Sequence, residues 1–247
     1  MNRIKQTIVS FLLAIPSIAM AQEFRYLKEN NYYDLSLSSN GKQHASAISW
    51  NHLHGIGRAK KFSIGYGLRF TSAFGRQADF ITAPAKLTSG TTGVGVIFSD
   101  NVFGNFDTIT LANYNTNSIN ATIYLNYKIN TKLEFEFNID ALGLTFGTSK
   151  TADYNSSKRI ISPNTNTSQT ANPTLFNILL VSDNDLGSLN SEILVKYWLT
   201  PKIALKLGGA FLFAEYTTNN KLYLDNDRFR NKTFLAMIGV SYAPFKI

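Results

Sequence analysis

The chain has 247 residues, no cysteine and a formal charge of +8 at pH 7. Without thiols it can form no disulfide or metal–thiolate centre and has no cysteine nucleophile. Lys and Arg are scattered rather than gathered into runs or a helical stripe, so the charge reads as a generally basic surface and not as a nucleic-acid footprint.

The opening stretch, "MNRIKQTIVSFLLAIPSIAMAQEF", places Arg3 and Lys5 before an apolar run that ends at "AMA". That order is the layout of a secretory signal, and the run is short of the roughly 20 residues a transmembrane helix needs. Residues 1–21 are therefore expected to be a cleaved signal, and 22–247 a single domain. Removing Arg3 and Lys5 leaves a formal charge of +6.

Period-two alternation then marks eight segments. They are 32–39, 45–54, 62–74, 118–129, 133–143, 190–199, 203–216 and 233–245. Each is near the 9–11 residues of a tilted membrane strand. The connections alternate in length: "GIGRAKK", "NT" and "TP" are short, whereas 75–117, 146–189 and 217–232 are long, with the short 40–44 the exception on the long side. Successive up-and-down strands would collect the short turns at one end and the long loops at the other.

Alternation does not say which face is inside; side-chain volume does. One face carries Phe62, Ile64, Tyr66, Leu68 and Phe70 on the third segment, and Ile203, Leu205, Leu207, Phe211 and Phe213 on the seventh. The opposite face is small or polar: Ser63, Gly65, Gly67 and Arg69, or Asn120, Thr122, Tyr124 and Asn126. A narrow eight-stranded interior has no room for the aromatics of every strand, so they belong outside, toward lipid. The expected fold is an all-β, eight-stranded antiparallel up-and-down transmembrane β-barrel with short periplasmic turns and long extracellular loops. Tyr33, Phe62, Phe70, Tyr127, Tyr197, Phe213, Tyr242 and Phe245 are expected at the membrane interfaces.

The segment "LEFEFNIDALG" (133–143) raises the question of chemistry, because Glu134, Glu136 and Asp140 share a face. Carboxylate pairs that hydrolyse glycosides need a cleft. Inside a filled barrel they instead need counter-ions, and Arg69, Lys128, Lys196 and Lys206, together with Glu192, lie on inward faces. These residues are read as a structural ionic network in the lumen. His52 and His54 share one side of a strand with no further ligand pattern, so they read as interfacial and no metal site is expected. His44 with Ser46 near the outer rim matches no lipid-hydrolase motif. The stretch "GTTGVG" (90–95) follows no strand and opens no helix. The groups Asp183, Asp185, Glu192 and Asp225, Asp227 fail the EF-hand spacing.

The signal, the eight-segment meander, the Gly-rich "IGYGLRF" and the closing "FLAMIGVSYAPF" resemble the small OmpA/OmpX-type outer-membrane barrels. More narrowly, with a signal ending in "AQ", the chain is similar to barrel proteins of Bacteroidota. The resemblance implies a bacterial outer-membrane location, no cofactor, and outer-membrane lipids, lipopolysaccharide and the barrel assembly machinery as partners. Barrels of this type commonly end on an aromatic residue, whereas here Phe245 precedes Lys246 and Ile247. The expected role is non-enzymatic, with no catalytic residue. It is structural or surface-binding through the loops 75–117 and 146–189, toward an extracellular protein or glycan. The alternatives are a narrow channel or transport accessory, and a lipid-modifying enzyme.

Overall fold

The computed structural model describes residues 29–91, 99–155, 167–180 and 184–245. The expected signal segment, the apolar loop stretch 92–98, much of the Asn/Ser/Thr-rich 155–174 loop, Asp183 and the last two residues lie outside them.

Eleven strands follow in chain order among the described residues. They are β1 (Glu29–Ser39), β2 (Gln43–Ile56), β3 (Phe62–Thr82), β4 (Thr108–Lys128), β5 (Leu133–Gly147), β6 (Lys150–Asn155), β7 (Ser168–Pro173), β8 (Phe176–Ile178), β9 (Leu189–Trp198), β10 (Ile203–Thr218) and β11 (Arg228–Tyr242). Among the described residues a short helix, α1 (Ala85–Thr88), and a 3-10 turn (Phe103–Asn105) lie between β3 and β4. Every pairing is antiparallel, and β1-β2-β3-β4-β5-β9-β10-β11 closes on itself through β1–β11, where Tyr33 faces Tyr242. These eight strands are the eight expected from alternation.

The ring changes composition toward the long-loop end. There β3 and β4 run on past the β1–β2 hairpin, β6 pairs with β4, β7 pairs with β6 and β10, and β11 pairs with β3 at Phe229–Thr82. The strands β1, β2, β5 and β9 drop out and β6 and β7 join, so the pairings close a six-stranded collar on top of the eight-stranded wall. Much of what was expected as loop in 75–117 and 146–189 is therefore strand. The cause is parity. At Gln77, whose φ is +47°, and at Ala112 opposite it, the ladder skips a step and the buried face moves from odd to even residues of β3. A period-two reading stops where the parity flips. The same happens on β5, where a bulge between Ala121 and Thr122 of the partner strand leaves Ala141 extra and turns Leu142, Leu144 and Phe146 outward.

Short turns are fixed locally. The Asn130 side-chain oxygen accepts the Lys132 and Leu133 amides at 2.9 Å each, and Thr200 Oγ1 accepts those of Lys202 and Ile203. Asn40 does the same at the β1–β2 turn, accepting from Lys42 and Gln43. Such side chains replace a backbone turn bond and end the strand where it must reverse.

The outer wall is apolar and exposed: Leu37, Ile48, Tyr66, Leu68, Ile119, Leu142, Leu207, Phe234 and Ile238 are each at least half accessible. A belt of this extent is stable only against lipid, where every backbone group is already paired in the closed ring. Leu207 is the most accessible of these wall residues at 67%. Leu207→Arg is expected to cost about 2–4 kcal/mol of folding stability in a bilayer. Equilibrium urea unfolding in lipid vesicles checks it, with Thr110→Arg on the collar (half-buried) expected to cost much less.

Candidate functional site: an ion-paired interior between two apolar plugs

The inward faces of the wall strands meet in one network. Arg69 on β3 is held to Asp140 on β5 at 2.6 Å and to Glu192 on β9 at 3.5 Å. Glu192 meets Lys206 on β10 at 3.7 Å, and Lys206 meets Asp34 on β1 at 3.1 Å. Asp34 meets Lys196 on β9 at 3.7 Å, and Lys196 ends on Glu136 of β5 at 2.6 Å. The result is one chain of alternating sign, Asp140–Arg69–Glu192–Lys206–Asp34–Lys196–Glu136, with every member buried.

Neutral groups hydrogen-bond to several of these carboxylates as well. Asp140 accepts from Asn120 at 2.8 Å, Thr122 at 2.8 Å and the Asn190 amide at 2.9 Å. Asn138 donates to Glu192 at 3.0 Å while its oxygen accepts from Arg69 at 2.6 Å. Asn51 on β2 donates to Asp34 at 3.2 Å. A buried carboxylate is tolerated only when paired and hydrogen-bonded in this way.

The eight lumen residues expected from sequence divide as follows. Arg69, Glu136, Asp140, Glu192, Lys196 and Lys206 are brought into the single chain. Lys128 and Glu134 face each other across β4–β5 nearer the short-turn end, where Asn126 also donates to Glu134 at 3.2 Å. Asp34 was missed, although the alternation of "YYDLSLSS" puts it on the same face as Ser36 and Ser38 and so carried the signal.

Apolar side chains close both ends of this polar layer. Tyr32, Leu53, Tyr124, Trp198, Ala204 and Ala243 cluster at the short-turn end, with Lys196 Nζ 4.9 Å from the Tyr32 ring. Toward the long-loop end the collar holds Phe80, Ile109, Leu111, Tyr114, Ala152, Tyr154, Tyr216 and Phe229. Phe80 stands edge-on to Tyr114 and Tyr216 at 5.4 and 5.3 Å. Burial raises the Tyr216 phenol to about 12, so it stays a donor, to the Asn115 carbonyl at 3.2 Å.

A second ionic group fastens the segment before β9 to the collar. Glu215 on β10 accepts from Arg228 at 2.8 Å and from Arg230 at 2.7 Å, and both arginines also donate to the Asp185 carbonyl. Gly187 turns this segment at φ +76°, and a Cβ there would sit 2.2 Å from the Phe176 carbonyl oxygen. In the sequence Asp185 stands out only as part of an acidic group that fails the EF-hand spacing. Its carbonyl instead serves as an acceptor, and its carboxylate accepts the Leu180 amide at 2.7 Å. Among the described residues no group of three His, Asp or Glu is arranged to hold a metal.

Of the expected interfacial aromatics, Phe62, Tyr127, Tyr197 and Tyr242 point outward at the short-turn end, as do Tyr33 and Phe245. Phe70 lies on the long-loop half of the wall, 6.4 Å from Phe146. Phe213 is half-buried, with Lys232 5.7 Å and Arg230 5.9 Å from its ring. His52 packs on Tyr66 and meets Asn31 at 3.1 Å, and His44 stacks on Phe74 at 5.3 Å.

No protein-family model and no curated relative matches the chain. Among solved structures it is similar to the Neisserial surface protein A (11% identity, 87% of this chain and 93% of that one, TM-score 0.36). It is also similar to a major outer membrane protein from Thermus thermophilus (11%, 88% and 100%, TM-score 0.35). A third is the Yersinia pestis outer membrane protein Ail (9%, 87% and 98%, TM-score 0.33). At that level of likeness it is the chain's own geometry, an apolar wall around an ion-paired interior, that makes it a transmembrane barrel.

Removing one member of the alternating chain should be costly. Arg69→Met strips Asp140 of its cation and is expected to lower stability by about 3–5 kcal/mol. Adding Asp140→Asn and Glu192→Gln should recover part of the loss. Urea unfolding of the single and triple variants checks both.

Proposed function

We propose that this chain is a bacterial outer-membrane β-barrel that acts without catalysis. Its role is structural or surface-binding, through the long-loop end on the outside of the cell. The observation that carries this reading is the occupied interior: an apolar plug, an alternating ionic layer and a second apolar core follow one another along the barrel axis. A solute path would require that whole series to part, and a hydrolytic site would need a cleft where the carboxylates now meet cations.

The collar supports the same reading. It projects β3, β4, β6, β7, β10 and β11 beyond the apolar belt and presents their connections on a rigid base. Loops on such a base suit recognition of an extracellular protein or glycan. Outer-membrane lipid and lipopolysaccharide surround the wall, and the assembly machinery delivers it. The "AQ" at the expected signal end favours a Bacteroidota-like source.

Two measurements test the proposal. In planar bilayers the folded protein should give no reproducible ion steps; steady conductance would overturn the closed-lumen reading. Epitope tags inserted between Asn219 and Asn220 should be stained on intact cells, whereas tags between Arg58 and Ala59 should need permeabilisation. The reverse pattern would invert the topology.

A further inference from the structure

The apolar wall has a dent near its long-loop rim. Small side chains, Ser39 on β1, Ser46 on β2 and Ala236 on β11, lie among Leu37, Leu207 and Ile238, leaving a groove of about 670 Å³ lined almost wholly by carbon. His44 and Phe74, stacked on each other, form its upper wall. The same two side chains also line a second groove, of about 620 Å³, to which Lys42, Arg76, Gln77, Asn113 and Asn115 contribute polar and basic groups. Both volumes fall in the range of about 300–1,000 Å³ typical of ligand sites.

The cations converge there because of the register. Arg76 faces Asn113 across β3–β4, and Asn113 accepts from Lys150 Nζ at 2.8 Å. Lys42 comes in from the β1–β2 turn, its carbonyl accepting the Arg76 amide at 3.4 Å. Lys42 and Arg76 thus line the groove next to the apolar one, and Lys150 is brought to its edge by Asn113. The nearest carboxylate along β3, Asp79, lies further from the belt and accepts from Thr110 at 2.7 Å.

We infer that these two grooves form one lipid site, in which an acyl chain lies in the groove beside Ser39, Ser46 and Ala236 while Lys42, Arg76 and Lys150 hold the phosphate of the same molecule. The occupant is an acylated, phosphate-bearing lipid of the leaflet at the long-loop end. Both halves of the site are explained by it: a neutral lipid leaves the cations unanswered, and a free anion leaves the apolar groove empty. This inference rests on the proposed membrane reading and orientation.

The test is retention of lipid on the purified barrel by native mass spectrometry, after refolding in neutral phosphatidylcholine doped with bis-phosphorylated lipid A. The wild-type chain should keep the phosphorylated lipid in preference to its dephosphorylated form. Each cation near an anionic headgroup contributes about fivefold, so Lys42→Gln with Arg76→Gln and Lys150→Gln should weaken retention about a hundredfold. A charge-matched control at the opposite end, Lys61→Gln with Lys132→Gln and Lys202→Gln, should leave it unchanged. Ser46→Leu with Ala236→Leu, which fills the apolar groove, should weaken retention with the cations intact.

Equal loss in the control triple would reduce the effect to net charge and overturn the site. Equal retention of the dephosphorylated lipid would overturn it too, as would displacement of the lipid by inorganic phosphate alone. Heat-modifiable migration reports folding of each variant independently. If the wild-type chain failed to insert into neutral vesicles, the membrane reading itself would fall; insertion without lipid preference would overturn this inference alone.

Discussion

The fold depends on one electrostatic constraint: charge placed inside a closed eight-stranded ring must be neutralised inside it. Lys196 and Lys206 project inward from neighbouring strands and cannot reach water past the apolar plugs. Asp34 lies between them, at 3.7 and 3.1 Å, and joins β1 to β9 and β10 across the ring. Because signs alternate along the whole network, no two like charges are bonded neighbours, and each ion is held from at least two strands or by added amides. A network of this kind is a weak source of net stability but a strong specifier of register. Slipping one of these strands by one residue would swap its inward ion for a neighbour from the outer face, as Leu205 or Leu207 for Lys206.

The same constraint accounts for the architecture above the membrane belt. The eight-stranded section is filled by polar side chains because only small or extended ones fit the lumen. Toward the long-loop end β1, β2, β5 and β9 drop out, and the collar is filled by ordinary apolar packing with Phe80 at its centre. The inside-out wall, polar within and apolar without, thus grades into a collar with an apolar inside. The parity flip at Gln77 and Ala112 marks that change of section in β3 and β4.

Eight strands, the inward and outward faces, and most of the lumen ions were legible because period two assigns a face without knowledge of partners. "LEFEFNIDALG" is the clearest case: its phenylalanines line the outer wall and its carboxylates point into the lumen. The extensions of β3 and β4 were illegible because alternation breaks at Gln77 and Ala112, where both strands flip face together without a shift of register. The strands β6 and β7 were hidden in Asn- and Thr-rich sequence whose β-character comes from pairing with β4 and β10 rather than from its own pattern. The clamp of Glu215 on Arg228 and Arg230 joins two strands to a segment about 40 residues away in sequence, a distance no local pattern encodes.

The interior and the rim therefore carry opposite kinds of charge arrangement. Inside, each cation of the alternating chain has a fixed carboxylate, and the geometry leaves none facing an open groove. At the long-loop rim, Lys42 and Arg76 line a groove with asparagine and glutamine, not carboxylates, as other polar lining, and Lys150 reaches its edge through Asn113. Buried charge that is paired serves the fold. A band of cations beside an apolar groove, at the height where lipid headgroups meet the wall, is arranged to meet something outside the chain.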